Sequence, residues 1–158
     1  MSTLIIYASK YGATRTCSEL LAEQLDEHPD IIDLNHEQPN LDKYNTVIIG
    51  GSIYAGKIRK PVAAYIAANL AELKKKRLGL FICGAAERLE AIKEIEGNYP
   101  EDLRNIAIAV ESFGGLFDFE KMNFFERAII KKINEKEGFT PELQTERIVL
   151  FAQRINEV

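Results

Sequence analysis

Thr3-Leu4-Ile5-Ile6-Tyr7-Ala8-Ser9-Lys10-Tyr11-Gly12-Ala13-Thr14 is the stretch on which the fold turns. The unbroken apolar run from Leu4 to Ala8 has the character of a buried strand, and it stops abruptly at hydroxyls and a glycine. Beyond it the period changes. Ala13, Cys17, Leu20, Leu21 and Leu25 share one face at helical spacing, while Arg15, Glu19, Glu23 and Gln24 point away. The segment is therefore a strand, a turn and the start of a helix. Such a helix start presents unpaired backbone N–H groups and partial positive charge, Ser9 and Thr14 add hydroxyl donors, and Gly12 lets the backbone approach a guest. A phosphate suits this loop. An N-cap and a tight turn call for the same residues, so the stretch alone leaves both readings open.

The rest of the chain repeats the alternation. Pro29 breaks the first helix, and short apolar strands are expected at Ile31–Leu34 and Thr46–Ile49. The second of these runs into Gly50, Gly51, Ser52, Ile53, Tyr54, Ala55 and Gly56, read as a loop. Pro61 marks the first turn of a helix with Val62, Tyr65, Ile66, Leu70 and Leu73 on its apolar face. Leu78–Cys83 reads as the fourth strand, closed by Gly84, and Ile106–Val110 as the fifth. Between them Leu89, Ile92 and Ile95 make a short helical stripe. Two helices are expected to close the chain, near Asn123–Lys136 and from Thr140, the latter buried through Leu143, Ile148, Phe151, Ala152 and Ile155. Continuous apolar strands alternating with helices predict an α/β fold: a doubly wound five-stranded parallel sheet of order 2-1-3-4-5 with helices on both faces. In that topology the chain winds in opposite directions after strands one and three. A crevice opens between the loop at Ser9–Thr14 and the loop at Gly50–Gly56.

Composition narrows the class. At 158 residues, 46% hydrophobic and 28% charged, residues 1–158 fit a single soluble domain. The net charge of −4 argues against nucleic acid, and Lys74–Arg77, the one basic run, suits a helix end. Two cysteines are too few for a disulfide framework, so Cys17 and Cys83 read as small core residues of a cytoplasmic protein. His28 and His36 form no metal or nucleophile constellation, and no catalytic side chain is assigned.

The residues just after the first strand exclude several ligands of doubly wound sheets. A dinucleotide fold needs several glycines in the first turn; Gly12 stands alone there, which leaves Asp33, at the right spacing for a ribose, without its companion motif. No Gly-Lys-Ser/Thr run is present for a nucleoside triphosphate. Ser9 and Lys10 occupy the place where a phospho-receiver domain needs acids, and Cys17 lies too deep in the helix to be a phosphatase nucleophile. A mononucleotide with one phosphate and a flat ring remains.

The hydroxyl-rich loop Ser9, Lys10, Tyr11, Gly12, Ala13, Thr14 resembles the phosphate loop of the flavodoxin family, and the resemblance extends over nearly the whole chain. It is strongest toward the flavodoxin-domain branch that includes the menaquinone-dependent protoporphyrinogen dehydrogenase. The Gly-x-Ser-Ile run within Gly50–Gly56 carries part of this, and Gly114, Gly115 and Leu116 ahead of Phe124–Lys132 carry the rest. The resemblance implies a flavodoxin-like fold and FMN as cofactor, with its phosphate on Ser9–Thr14. One wall of the ring site would be Gly51, Ser52, Ile53, Tyr54, Ala55 and Gly56, with Tyr54 stacked on the flavin, and Gly51 or Gly56 able to turn a carbonyl toward it. Gly84, Ala85, Ala86 and Glu87 would form the other wall. No cation for a reduced flavin stands out among the acids that come after Glu87, though Arg88 and Lys93 lie there.

The implied function is electron transfer or flavin-dependent oxidoreduction, with a redox partner protein or a quinone as the other party. Porphyrin oxidation is an alternative that the modest, acidic stretch Ala86–Asp102 does little to support. A cofactor-free domain whose crevice binds a partner is the alternative from another class. Met122–Lys136, with its apolar face beside Arg127, Lys131 and Lys132, is compatible with lying on an anionic bilayer, but packing on the sheet explains the same pattern and is the favoured reading.

Overall fold

The computed structural model describes residues 2–10, 12–86, 88–115 and 143–157. Strands β1 (Thr3–Ala8), β2 (Asp30–Asp33), β3 (Thr46–Tyr54), β5 (Arg77–Cys83) and β6 (Ala109–Ser112) form a parallel sheet of order β2-β1-β3-β5-β6. The two-residue strand β4 (Lys57–Ile58) pairs antiparallel with the end of β3. Apart from that added strand, the expected doubly wound order holds. β1 and β3 are aligned so that Ala8 pairs with Gly51, and Gly51 and Ser52 pair in turn with Ile82 and Cys83 of β5. The strand ends that bound the crevice are therefore level.

Helices α1 (Ala13–Gln24) and α5 (Thr145–Asn156) cover one face. Helices α2 (Lys60–Leu73), α3 (Arg88–Asn98) and α4 (Glu101–Ile106) cover the other. Alternate residues of each strand divide between the two cores: Leu4 and Ile6 pack with Val62, Ile66 and Leu103, whereas Ile5 packs with Cys17, Leu21 and Phe151. The α1/α5 side is anchored by three rings. Phe81 stacks on Phe113 at 4.7 Å between centroids, and Phe151 meets them edge-on at 6.1 and 5.3 Å. Such pairs contribute roughly 0.5–1.5 kcal/mol each beyond burial.

The basic run folds into structure. Lys76 donates to the carbonyls of Leu41 and Tyr44, and Arg77 to those of Ile155 and Glu157, tying the tail of α5 to the start of β5. Three expectations are corrected. In α3 the buried residues are Ala91 and Ile95, four apart on one face, and Leu89 and Ile92 of the expected stripe are exposed. The fifth strand of the parallel sheet begins at Ala109, since Ile106 ends α4. Leu143 precedes the last helix and bridges Gly114 instead of lying inside it. The helix expected at Asn123–Lys136 lies outside the described residues, as do Thr140, Tyr11, Glu87 and Leu116. Among the described residues no helix is long and apolar enough to cross a membrane.

Candidate functional site: the carboxyl edge of β1, β3 and β5

The loop after β1 is folded on itself. The hydroxyl of Ser9 accepts the Gly12 N–H at 2.9 Å, and Gly12 stands at φ 94°, a left-handed conformation in which a side chain would be strained. Gly12 is the N-cap of α1. No side chain caps that end, and its first turn has no acidic residue, so its positive end faces the crevice without a built-in counter-charge. The hydroxyls of Thr16 and Ser18 turn back onto the carbonyls of Gly12 and Thr14. Thr14 does otherwise: its Oγ1 is buried beside the Cys83 thiol and forms no well-aligned hydrogen bond. An orphaned buried hydroxyl is costly, and a ligand oxygen is the natural way to satisfy it.

The second loop is a hairpin. β3 runs on through Gly50 and Gly51 to Tyr54, and β4 returns antiparallel, with Tyr54 opposite Lys57. Ala55 and Gly56 form its turn, at φ 50° and 78°. Two positive φ values are what a two-residue hairpin of the primed type requires, and Ala is an uncommon residue for the first of them. The hairpin is fastened from outside by Asn98 at the end of α3. Its Oδ1 accepts the Ile58 N–H at 3.0 Å, and its Nδ2 donates to the carbonyls of Gly56 and Glu94 at 2.9 and 2.8 Å. At the hairpin's base the Ser52 Oγ is a second buried hydroxyl without a partner.

Gly50 and Gly51 are strand residues and not part of the loop that the glycine run suggested. They lie inside β3, where a Cβ on Gly50 would meet the Phe81 Cζ at 2.0 Å and one on Gly51 the Ile58 Cγ1 at 2.5 Å. Their lack of a side chain makes room for core residues. Of the three, Gly56 alone sits in a turn with positive φ and open space around it.

The third wall lies beyond β5. Gly84 donates its N–H to the Gly114 carbonyl at 2.9 Å, and its Cα lies close enough to Ile53 that an added Cβ would come to 3.3 Å of that side chain. Ala85 and Ala86 continue this wall, both half-buried. Across the crevice the Lys10 ammonium stands over the Tyr54 ring, 4.1 Å from its centroid. The cation beside Tyr54 thus comes from the first loop. Arg88 instead pairs with Glu111 of β6.

The structure thus brings Ser9, Lys10, Gly12, Ala13 and Thr14 to the same edge as Ser52, Ile53, Tyr54, Ala55, Gly56, Gly84, Ala85 and Ala86. Asn98 escapes a reading of the sequence, because nothing local marks a helix-end asparagine as the clasp of a distant hairpin. The phenols near this edge shift as burial dictates. Desolvation, then the charge of Asp33, pushes the Tyr7 phenol up, and burial raises Tyr99, which donates to the Phe81 carbonyl at 2.6 Å. Neither is poised for proton transfer near neutrality. His36 is exposed, 3.7 Å from Asp33.

Comparison with known proteins agrees with this fold. Oxidised flavodoxin 1 from Bacillus cereus superimposes with a TM-score of 0.62 at 13% identity, over 100% of this chain and 99% of that one. A flavodoxin from Fusobacterium nucleatum, solved bound to flavin mononucleotide, gives 0.54 at 13% identity over 99% and 98%. The flavodiiron core from Synechocystis sp. PCC6803 gives 0.61 at 19% identity; the match takes in 99% of this chain and 36% of that larger one. No curated protein matches in sequence. The flavodoxin domain family matches residues 4–144, which is most of the length. The chain belongs to the flavodoxin domain family.

Proposed function

We propose that this chain binds FMN at the carboxyl edge of β1, β3 and β5 and passes electrons to or from a redox partner. The observation that carries the reading is the pair of buried hydroxyls without a well-aligned hydrogen bond, Thr14 Oγ1 at the head of α1 and Ser52 Oγ at the base of the hairpin. Both belong to segments that bound the crevice, the first turn of α1 and the end of β3, and a phosphorylated ligand with a polar ring edge would offer each a partner. The FMN bound to the Fusobacterium flavodoxin supports the same choice.

In this reading Ser9, Lys10, Tyr11, Gly12, Ala13 and Thr14 hold the phosphate. Gly51, Ser52, Ile53, Tyr54, Ala55 and Gly56 line one side of the ring, and Gly84, Ala85, Ala86 and Glu87 the other. Bound there, FMN supplies the electron chemistry, and the protein supplies orientation and electrostatics. Ser9 holds the first loop in shape, Asn98 fixes the hairpin, and Lys10 brings positive charge beside Tyr54. No side chain of the chain needs to act as nucleophile or general base.

The partner is a protein or a quinone. A porphyrin substrate receives less support, since Arg88–Ile106 folds into α3 and α4 as part of the doubly wound frame and not as a separate substrate arm. The test is the cofactor itself. The protein purified from cells, or mixed with FMN, is expected to be yellow and to release FMN on denaturation. A colourless chain that ignores added FMN would leave a partner-binding crevice as the better account.

A further inference from the structure

The sulfurs of Cys17 and Cys83 lie 3.1 Å apart, both free and both buried. One is in the second turn of α1 and the other is the last residue of β5, 66 positions along the chain. We propose that they form an oxidisable dithiol: a hydroperoxide converts the two thiols to an intramolecular disulfide that ties α1 to β5.

Geometry favours the pair over two independent core thiols. A disulfide needs its sulfurs to close to about 2.05 Å, a further approach of about 1 Å, which is the scale of a small side-chain rotation. Position gives it meaning. The helix that carries Cys17 begins at the loop Ser9–Thr14, and the strand that carries Cys83 runs directly into Gly84, Ala85 and Ala86. A covalent bond here fastens together two walls of the crevice. Seclusion sets the rate: Cys83 is 1% exposed and its thiol is pushed well up by burial, then by its bond with Cys17, so thiolate is scarce until the region opens.

The chemistry balances with a hydroperoxide as the oxidant. One thiol, as its thiolate, attacks the outer oxygen and breaks the O–O bond, giving a sulfenic acid and an alcohol, or water if the oxidant is hydrogen peroxide. The second thiol then attacks the sulfenic sulfur; the S–S bond forms and water leaves. Two thiols have lost two electrons and two protons, and the peroxide bond has taken them.

The test uses the full-length protein, reduced and then exposed to hydrogen peroxide, denatured, alkylated and mapped by mass spectrometry. The expected product is monomeric, two hydrogens lighter, unreactive to alkylation and yields one linked peptide pair containing Cys17 and Cys83. Dithiothreitol should reverse it. Closing so long a loop should raise the melting temperature by about 10 °C, and peroxide should produce no such shift in Cys17→Ala. Full alkylation of both cysteines, separate oxidation to sulfinic acids, or linkage only between chains would overturn the proposal. Its bearing on the crevice rests on the FMN reading and has its own readout: FMN should leave the oxidised protein at least several-fold more slowly than the reduced one. Equal release rates would overturn that link. A disulfide formed in a chain that binds no FMN in either state would support the dithiol and refute the flavin reading.

Discussion

The Lys10 ammonium lies 4.1 Å from the centroid of the Tyr54 ring, so the loop after β1 and the hairpin after β3 meet across the crevice. A cation over an exposed aromatic face contributes roughly 0.5–1 kcal/mol. A flavin stacked on Tyr54 replaces that contact with one of similar or greater size. Tyr54→Leu should therefore weaken FMN and riboflavin alike, by about 3–10-fold, from an aromatic term of roughly 0.5–1.5 kcal/mol. Lys10→Met should weaken FMN and not riboflavin, with a flatter dependence on salt. Fluorescence titrations of both ligands check the pair.

Thr14 presents a trade between stability and binding. Its buried hydroxyl forms no well-aligned hydrogen bond within the chain, and Val has the same shape without the polar atom. Thr14→Val should stabilise that ligand-free chain by about 1 kcal/mol, the lower end of the cost of an unsatisfied buried group. Urea denaturation without flavin is the measurement, and a destabilised variant would show that the hydroxyl is already satisfied.

The hairpin turn stores strain at Ala55. A left-handed conformation costs a residue with a Cβ about 1 kcal/mol or more, part of which glycine gives back in unfolded-state entropy. Ala55→Gly should then raise stability by about 0.5 kcal/mol. Ala55→Val should lower it, since branching at Cβ makes φ 50° worse. Thermal melts separate the two.

Gly50 and Gly51 leave room for core side chains, so their substitutions should be felt in folding. Alanine at either would drive a Cβ into Phe81 or Ile58 at 2.0 or 2.5 Å. Each change should cost about 1–3 kcal/mol of stability, as overpacking does. Gly56→Ala should instead cost about 1 kcal/mol through its positive φ alone. Chemical denaturation of the three variants distinguishes a crowded core from a strained turn.

Tyr44 makes stability fall at high pH. Its pKa is raised from 10.0 to about 12, first by burial and then by its 2.6 Å hydrogen bond to Asp30. The protonated phenol is the form the fold favours, so its contribution is complete below pH 10.0, the unfolded value, and is lost as pH rises toward 12. Melting temperatures followed across that window should drop for the natural chain, and Tyr44→Phe should lessen the drop.

The frame of the molecule is legible in the sequence because its causes are local. Apolar runs at Leu4–Ala8 and Leu78–Cys83, Pro61 in the first turn of α2, and the stripe of Ile148, Phe151, Ala152 and Ile155 each declare an element by a local signal. Topology then places the first two loops side by side. The features that stay hidden depend on neighbours distant in sequence. Glycine signals a loop or a crowded strand equally well, and only Phe81 and Ile58 decide that Gly50 and Gly51 belong to β3. Asn98 clasps the hairpin 40 positions away from Ile58. Lys10 and Tyr54 sit in different loops, and Cys17 and Cys83 each fit their own apolar face without hinting at the other.

A phosphate held at the head of α1 is the core of the proposed function, and a comparison of FMN with riboflavin in the natural chain and Thr14→Val tests it most directly. Charge-assisted hydrogen bonds contribute roughly 1.5–3 kcal/mol, so Thr14→Val should bind FMN about 10–100-fold more weakly while its affinity for riboflavin stays the same. Equal affinity of the natural chain for the two flavins, or no change in FMN binding on losing the hydroxyl, would contradict it.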